Sequence, residues 1–160
     1  MLRRLAFRAV IVALAGWLVV STGVVLAVTL IGGGPNSRAV IMMGTGLVVL
    51  WVGLCGTLQY LARDCVRAFI LRLRVDWRVT FVVMATLLAL VEEAITTGMT
   101  SLAPLFGVPV GTAYITASAD YLDVVCLHSV VVFVPMFVAW AVMLRRVDFS
   151  PNAVFLLFGL

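Results

Sequence analysis

The amino-acid sequence predicts an all-α, polytopic transmembrane helical bundle with four membrane spans. The chain has 160 residues, of which 64% are hydrophobic and 11% are charged, and its mean hydropathy is +1.23. Four apolar runs are each long enough to cross a hydrocarbon core of ~30 Å as a helix. Arginines cluster at the ends of these runs, as is typical of membrane-spanning helices. At this length we expect a single integral-membrane domain over residues 1–160.

The predicted spans cover residues 9–31, 39–62, 79–103 and 120–144. The first span is too long for the apolar region of a cleaved signal peptide, which is ~7–15 residues, so we interpret it as a retained signal anchor. A Gly-Gly-Gly-Pro-Asn-Ser turn at 32–37 separates it from the second span. Glycines in the second span favour close helix packing, including packing in a homo- or hetero-oligomer. These are Gly44, Gly46, Gly53 and Gly56.

The segment between the second and third spans, residues 63–78, is the one long charged stretch. Its apolar residues recur at helical spacing beside a stripe of arginines, which predicts an amphipathic helix at the membrane interface. Such a helix would lie on anionic lipid. Two roles stay open for it: docking of lipid or a partner, and a connector that sets topology.

The arginine distribution predicts the orientation of the chain in the cell membrane. Ten of the eleven arginines fall on one side of the predicted spans, and only Arg38 falls on the other. The positive-inside rule therefore places the N-terminus and residues 63–78 in the cytoplasm, and the loop 104–122 outside it. The same distribution argues against a nucleic-acid partner. The absence of lysine excludes lysine Schiff-base chemistry.

The composition of two stretches does not decide their structure. Pro104, Gly107 and Pro109 end the third helix, and residues 114–119 that follow are predicted to be either extended or re-entrant. Ser150 followed by Pro151 is typical of a helix start. The apolar residues 151–160 are too few for a span. We expect them to begin a fifth hydrophobic element, either a re-entrant helix or the start of a longer one.

A polar site is predicted inside the membrane. Glu92 and Glu93, the only glutamates, lie within the third span, where an ionisable residue is costly and indicates function. At ~1.5 Å per residue they lie about 16 and 15 Å below Ala103. His128, the only histidine, lies about 12 Å below the start of the next span near Asp120. Because the two helices are antiparallel, we expect one shared site of Glu92, Glu93 and His128.

Hydroxyl and carboxylate side chains support this site. Thr97 is four residues from Glu93 and Thr96 is four from Glu92, so each hydroxyl is expected to reach one carboxylate. Further supporting residues are Thr100 in the same helix, and Asp120 and Asp123 at its outer mouth. The two aspartates also fit the N-cap and third position of the last span, where carboxylates favour the helix dipole.

Three functions are compatible with this pattern. Glu92, Glu93 and His128 are candidate catalytic residues and ligands of a divalent metal (Zn, Mn or Fe) in a hydrolase-like membrane enzyme with Glu as general base. The carboxylates can instead serve a proton- or cation-conducting transporter or channel subunit. Thirdly, neutral glutamates hydrogen-bonded to Thr and His can hold together a structural subunit of a larger complex.

The residues Glu92-Glu93-Ala94-Ile95-Thr96-Thr97-Gly98 are similar to the EExxxRG motif of the CAAX-processing and bacteriocin-processing intramembrane peptidases. In that family a histidine follows in the next helical region, and His128 lies 36 residues after Glu92. The resemblance implies a glutamate that activates water and a histidine that positions it or a metal. Thr97 stands where the family has arginine, and Val124 where it has phenylalanine.

Overall fold

The computed structural model describes residues 2–150, with side chains from residue 8 onward. The predicted fifth segment, 151–160, lies outside these residues. The helices in chain order are α1 (Leu2–Gly32), α2 (Pro35–Leu47), a first π-helical segment (Val48–Cys55), α3 (Gly56–Arg72), α4 (Trp77–Ser101), a 3-10 helix (Ala103–Phe106), α5 (Tyr121–Val124), a second π-helical segment (Val125–Ser129) and α6 (Val130–Arg146). No strand occurs in the described part of the chain, which confirms the all-α class.

Four helical stretches are long and apolar enough to cross a membrane, as predicted. They are Arg8–Gly32, Pro35–Arg72, Trp77–Ser101 and Tyr121–Arg146. Local sequence features set the starts of two of these helices. Pro35 occupies the first turn of α2, where its missing N–H costs nothing. The Asp76 carboxylate caps α4 by accepting a hydrogen bond from the backbone N–H of Arg78 at 2.8 Å.

The predicted amphipathic helix over 63–78 does not form a separate element. Residues 63–72 continue the second span without a break, because no glycine or proline follows Gly56 to end the helix before Arg72. The continuous helix has 38 residues, so it is about 57 Å long and extends well beyond a ~30 Å hydrocarbon core. The chain reverses over residues 73–76, where Arg74 has a positive φ of 46°. The interfacial position of the arginine-rich end stays a prediction.

The four spans follow one another in a row. The main helix contacts join α1 to α2, α2 to α4, and α4 to α6. In α1 the most apolar window has 0% of its residues buried, so nearly its whole surface faces outward. Since lipid is the solvent for such surfaces, their exposure is the expected state of a membrane helix.

A cluster of buried apolar side chains lies between the two inner helices, where α2 begins and α4 ends. It consists of Ala39, Met43, Ala103, Val108 and Ala113. Three of the five come from residue 103 onward, so the connection between α4 and α5 packs directly onto the two helices. This cluster fixes that connection relative to the membrane spans.

The connection itself, residues 102–120, folds back along α4. After the 3-10 helix, Gly107 takes a left-handed φ of 84°, which glycine adopts without a steric penalty. The backbone N–H of Ile115 then donates to Oγ1 of Thr100 at 3.4 Å. Residues 114–119, which are predicted to be either extended or re-entrant, form neither a helix nor a strand. The segment returns toward the membrane-spanning part of α4.

Aromatic rings hold α4 against α6 at their other end. The rings of Phe81 and Phe137 meet edge-to-face with centroids 6.4 Å apart. Phe133 and Phe137 stack at 6.1 Å. The second pair lies within α6, so only the pair of Phe81 with Phe137 joins the two helices, near the start of α4 and away from Glu93.

Substitution of Met43, which is fully buried, tests the cluster at the start of α2. Met43→Ala leaves a cavity that the neighbouring helices cannot fill, so we expect a loss of roughly 2 kcal/mol or more in unfolding free energy. Met42→Ala is the control, because Met42 is 46% exposed. Unfolding of both variants in mixed micelles measures the difference. Equal losses for the two variants would contradict the described packing.

Candidate functional site

The Glu93 carboxylate is the best-connected polar group inside the spans. Its Oε1 accepts a hydrogen bond from Ser129 Oγ at 2.8 Å. Its Oε2 accepts one from Thr96 Oγ1 at 3.0 Å and a longer one from Thr116 Oγ1 at 3.4 Å. The three hydroxyls come from the end of the second π-helical segment, from α4 and from the loop. One half-buried carboxylate therefore ties three segments together.

The position of Thr116 shows how deep this loop reaches. Glu93 lies eight residues before the end of α4 at Ser101, which is about 12 Å along a helix. Thr116 is nevertheless within 3.4 Å of the Glu93 carboxylate. The loop therefore descends to the depth of the glutamates, as a re-entrant segment does, and forms one wall of the site.

His128 does not join the site. Its side chain is exposed, whereas Ser129 is buried at 4% exposure and bonded to Glu93. The cause is the π-helical geometry of Val125–Ser129. In a π-helix the i→i+5 hydrogen bonds widen the turn, so the fifth residue rather than the fourth returns to the same face. Ser129, five residues after the buried Val124, thus faces α4 in place of His128.

Glu92 and Glu93 face different neighbours. Successive helical residues point about 100° apart, and Glu92 makes no hydrogen bond or ion pair within the described part of the chain. Glu92 shares a helix face with Met99, seven residues later. Met99 lies against Gly46 of α2, where an added Cβ would come within 2.7 Å of its Sδ. Glu92 therefore faces the α2 side, and Glu93 faces α6.

The threonines pair differently from the prediction. Thr96 was expected to reach Glu92, but its hydroxyl donates to the side chain and to the backbone carbonyl of Glu93. Helical Thr hydroxyls bond the carbonyl three or four residues earlier, which places this one beside Glu93. Thr97, expected to reach Glu93, is 4% exposed, and its Oγ1 has no partner among the described residues. The buried Thr100 donates to the Thr96 carbonyl at 3.0 Å.

The two aspartates lie at the start of the last span, which is one of the two roles predicted for them. The Asp120 carboxylate accepts hydrogen bonds from the backbone N–H groups of Leu122 and Asp123, at 2.8 and 3.1 Å. Asp123 lies in the first turn of α5, where its charge favours the helix dipole. Both side chains are exposed. They stand at the outer end of the site and not beside Glu93.

A tyrosine adds a further link between these helices. The Tyr121 hydroxyl donates to the backbone carbonyl of Leu90 at 3.1 Å. Leu90 lies just below the glutamates in α4, so this bond fixes the start of the last span against α4. Together with the bond from Ser129 to Glu93, it joins the last span to α4 at two points.

The predicted metal centre is not assembled by these residues. No group of three or more His, Cys, Asp or Glu side chains is placed to hold a metal ion within residues 2–150. His128 is turned outward, and the atoms around Glu93 are hydroxyl oxygens. Binding of Zn, Mn or Fe, which favour nitrogen or several carboxylate ligands, therefore stays a prediction.

Fold and site together define a four-span, all-helical membrane protein with a hydroxyl-bonded carboxylate inside its spans. No protein-family model, curated protein or solved structure matches the chain. The similarity of residues 92–98 to the peptidase motif therefore stays a prediction that rests on those residues alone.

Sequence reasoning did not find Thr116, Tyr121 or the role of Ser129. Thr116 lies in a loop whose path no periodicity predicts. The hydroxyl of Ser129 was adjacent to His128, but an α-helical register directs His128, not Ser129, to the buried face. The five-residue spacing from Val124 to Ser129 is the only feature of the sequence that places Ser129 on the buried face. It does so only if the segment is already known to be a π-helix.

A double-mutant cycle tests the bond between Glu93 and Ser129. Hydrogen bonds to charged groups contribute about 1.5–3 kcal/mol, so Ser129→Ala and Glu93→Gln are expected to couple by roughly 1 kcal/mol or more in unfolding free energy. Ser129→Ala with Glu92→Gln is the matched control and should couple by less than about 0.5 kcal/mol. Unfolding in mixed micelles provides the values. Equal coupling in both cycles would show that the bond is absent.

Proposed function

We propose that this protein binds a proton or a small cation at Glu93, as a transporter or channel subunit. The observation that carries the proposal is a carboxylate inside a membrane span that accepts hydrogen bonds from three hydroxyls. The ion pairs within the described residues join Arg63 to Asp64 and Arg78 to Asp76, and neither involves Glu93. The charge of Glu93 therefore has no compensating cationic side chain there.

The physical argument is one of charge balance. An ionised carboxylate is costly in the membrane unless it is compensated. Hydroxyl donors stabilise the negative charge but do not neutralise it, so a proton or a cation from solution completes the balance. The surrounding atoms are oxygens, which are the ligands that hard cations prefer. A carboxylate of this kind can bind and release a proton or a metal cation reversibly.

Thr97 supplies a second reason to expect a ligand. Its hydroxyl is buried without a hydrogen-bond partner in the part of the chain described here. It lies one helical turn from Glu93, toward the loop end of α4. A buried hydroxyl without a partner costs about 1–3 kcal/mol. A water or a cation that reaches Glu93 from the loop side would pass the Thr97 hydroxyl oxygen and would supply the partner that it lacks.

A second candidate function is a structural subunit of a larger membrane complex. It is favoured by the surface of α1, whose most apolar window is 0% buried, and by two glycines, Gly16 and Gly23, that have no neighbouring atom within 4 Å of an added Cβ. Small residues allow close approach of another helix in a membrane. The metal-dependent hydrolase stays a prediction, and the orientation of His128 does not support it.

The proposal predicts ion flux that depends on Glu93. Full-length protein reconstituted in liposomes is expected to carry protons or sodium down an imposed gradient, and Glu93→Gln should reduce this flux at least tenfold because the amide cannot bind a cation by charge. Glu92→Gln is the matched control and should retain most of the flux, since Glu92 faces α2. A pH-sensitive dye and a sodium tracer measure the two ions.

The opposite result would assign Glu93 a structural role. If wild-type liposomes show no flux above empty liposomes, while Glu93→Gln lowers the unfolding free energy, the hydroxyl bonds serve to hold the helices together. The structural-subunit function would then be the better account. Equal flux in the wild type and in Glu93→Gln would also exclude this site as the path.

A further inference from the structure

A cleft between α3 and α4 is separate from the Glu93 site. Its volume is about 420 Å³, and apolar side chains form its walls, among them Val66, Ile70, Met84 and Leu88. Arg63 and Arg67 line the same cleft. The apolar walls suit a hydrocarbon chain, and the two adjacent arginine side chains suit a negatively charged group. The cleft is therefore complementary to an anionic amphiphile.

The arginines stand where lipid headgroups are expected. Arg63 is 28 residues after the start of the continuous helix at Pro35, which is about 42 Å along its axis. This exceeds a hydrocarbon core of ~30 Å, so the guanidinium groups reach the polar layer. Met84 and Leu88 belong to the apolar part of α4. On α3 the two arginines alternate with apolar residues at the same level, and on α4 the cleft continues along Met84 and Leu88.

Both guanidinium groups have N–H groups that can donate to an anion. Arg63 is paired with Asp64 at 3.8 Å, but the side chains are 57% and 83% exposed, and such surface pairs contribute little. Its guanidinium carbon also lies 4.3 Å from the centre of the Tyr60 ring, which leaves the N–H groups at its edge able to donate. Arg67 forms no ion pair within residues 8–150. Arginine N–H groups match the geometry of phosphate oxygens.

We propose that this cleft binds one anionic phospholipid, with its phosphate on Arg63 and Arg67 and an acyl chain between α3 and α4. The volume favours a lipid chain over a protein helix. A site of 420 Å³ falls in the small-molecule range of about 300–1,000 Å³, whereas a helix with side chains is about 10–12 Å across. The site makes no use of Glu93 and does not depend on ion transport.

Native mass spectrometry of the detergent-purified full chain tests the site with phosphatidylglycerol and phosphatidylcholine as probes. We expect phosphatidylglycerol to be retained as a single tight adduct. Arg63→Gln with Arg67→Gln is expected to weaken this adduct on the order of 30-fold, since each basic residue near an anionic headgroup contributes a roughly fivefold effect. Phosphatidylcholine should bind weakly, and equally, to both proteins.

Two further variants separate the cleft from general charge. Arg145→Gln with Arg146→Gln removes the same charge from the end of α6, outside the cleft, and should leave phosphatidylglycerol binding within about threefold of wild type. Leu88→Trp fills the cleft without changing charge and should also displace the lipid. Equal losses for the two arginine pairs, or unchanged binding in Leu88→Trp, would overturn the proposal. Glu93→Gln should bind the lipid as the wild type does.

Discussion

The bilayer cannot hydrate a carboxylate, and this constraint accounts for much of the structure around Glu93. A charged oxygen placed about 12 Å from the end of its helix needs donors from the protein itself. Ser129, Thr96 and Thr116 supply them, and they do so from three different segments of the chain. These bonds join the last span to α4 and hold the loop 102–120 beside Glu93. The small cluster around Met43 and Ala103 supports the same loop from its other side.

Helical register decides which residues meet at this site. Both π-helical segments contact α4, the first from the α2 side and the second from the α6 side. Such wide turns are uncommon and often lie at functional sites. In the second segment the change of register replaces an imidazole with a hydroxyl at the face toward α4. As a result the Glu93 carboxylate is bonded to the Ser129 hydroxyl, and the His128 imidazole is exposed on another face.

The arrangement of the spans in a row leaves both faces of each inner helix available to lipid or to partners. Glu92 and Glu93 are adjacent in sequence, yet they belong to different contacts of α4. The arginine-rich end of α3 lines the apolar cleft beside α4. The Glu93 site lies between α4 and the last span, whereas the cleft lies between α3 and α4. The two proposed binding sites therefore share only α4 and use different residues.

The sequence by itself determined the all-helical class, the four helices that are long and apolar enough to cross a membrane, and the cap at Asp120. These follow from local quantities, namely hydropathy, helix length and capping chemistry, which need no knowledge of distant contacts. The partners of Glu93 could not be predicted in the same way. Thr116 reaches Glu93 through a loop without periodicity, and His128 was assigned to the site on the assumption of an uninterrupted α-helix. The continuity of the second span through Arg72 was missed because amphipathic character does not mark a helix break. Only the tertiary structure decided these points, because a hydrogen bond between segments depends on register and chain path, which are set by packing.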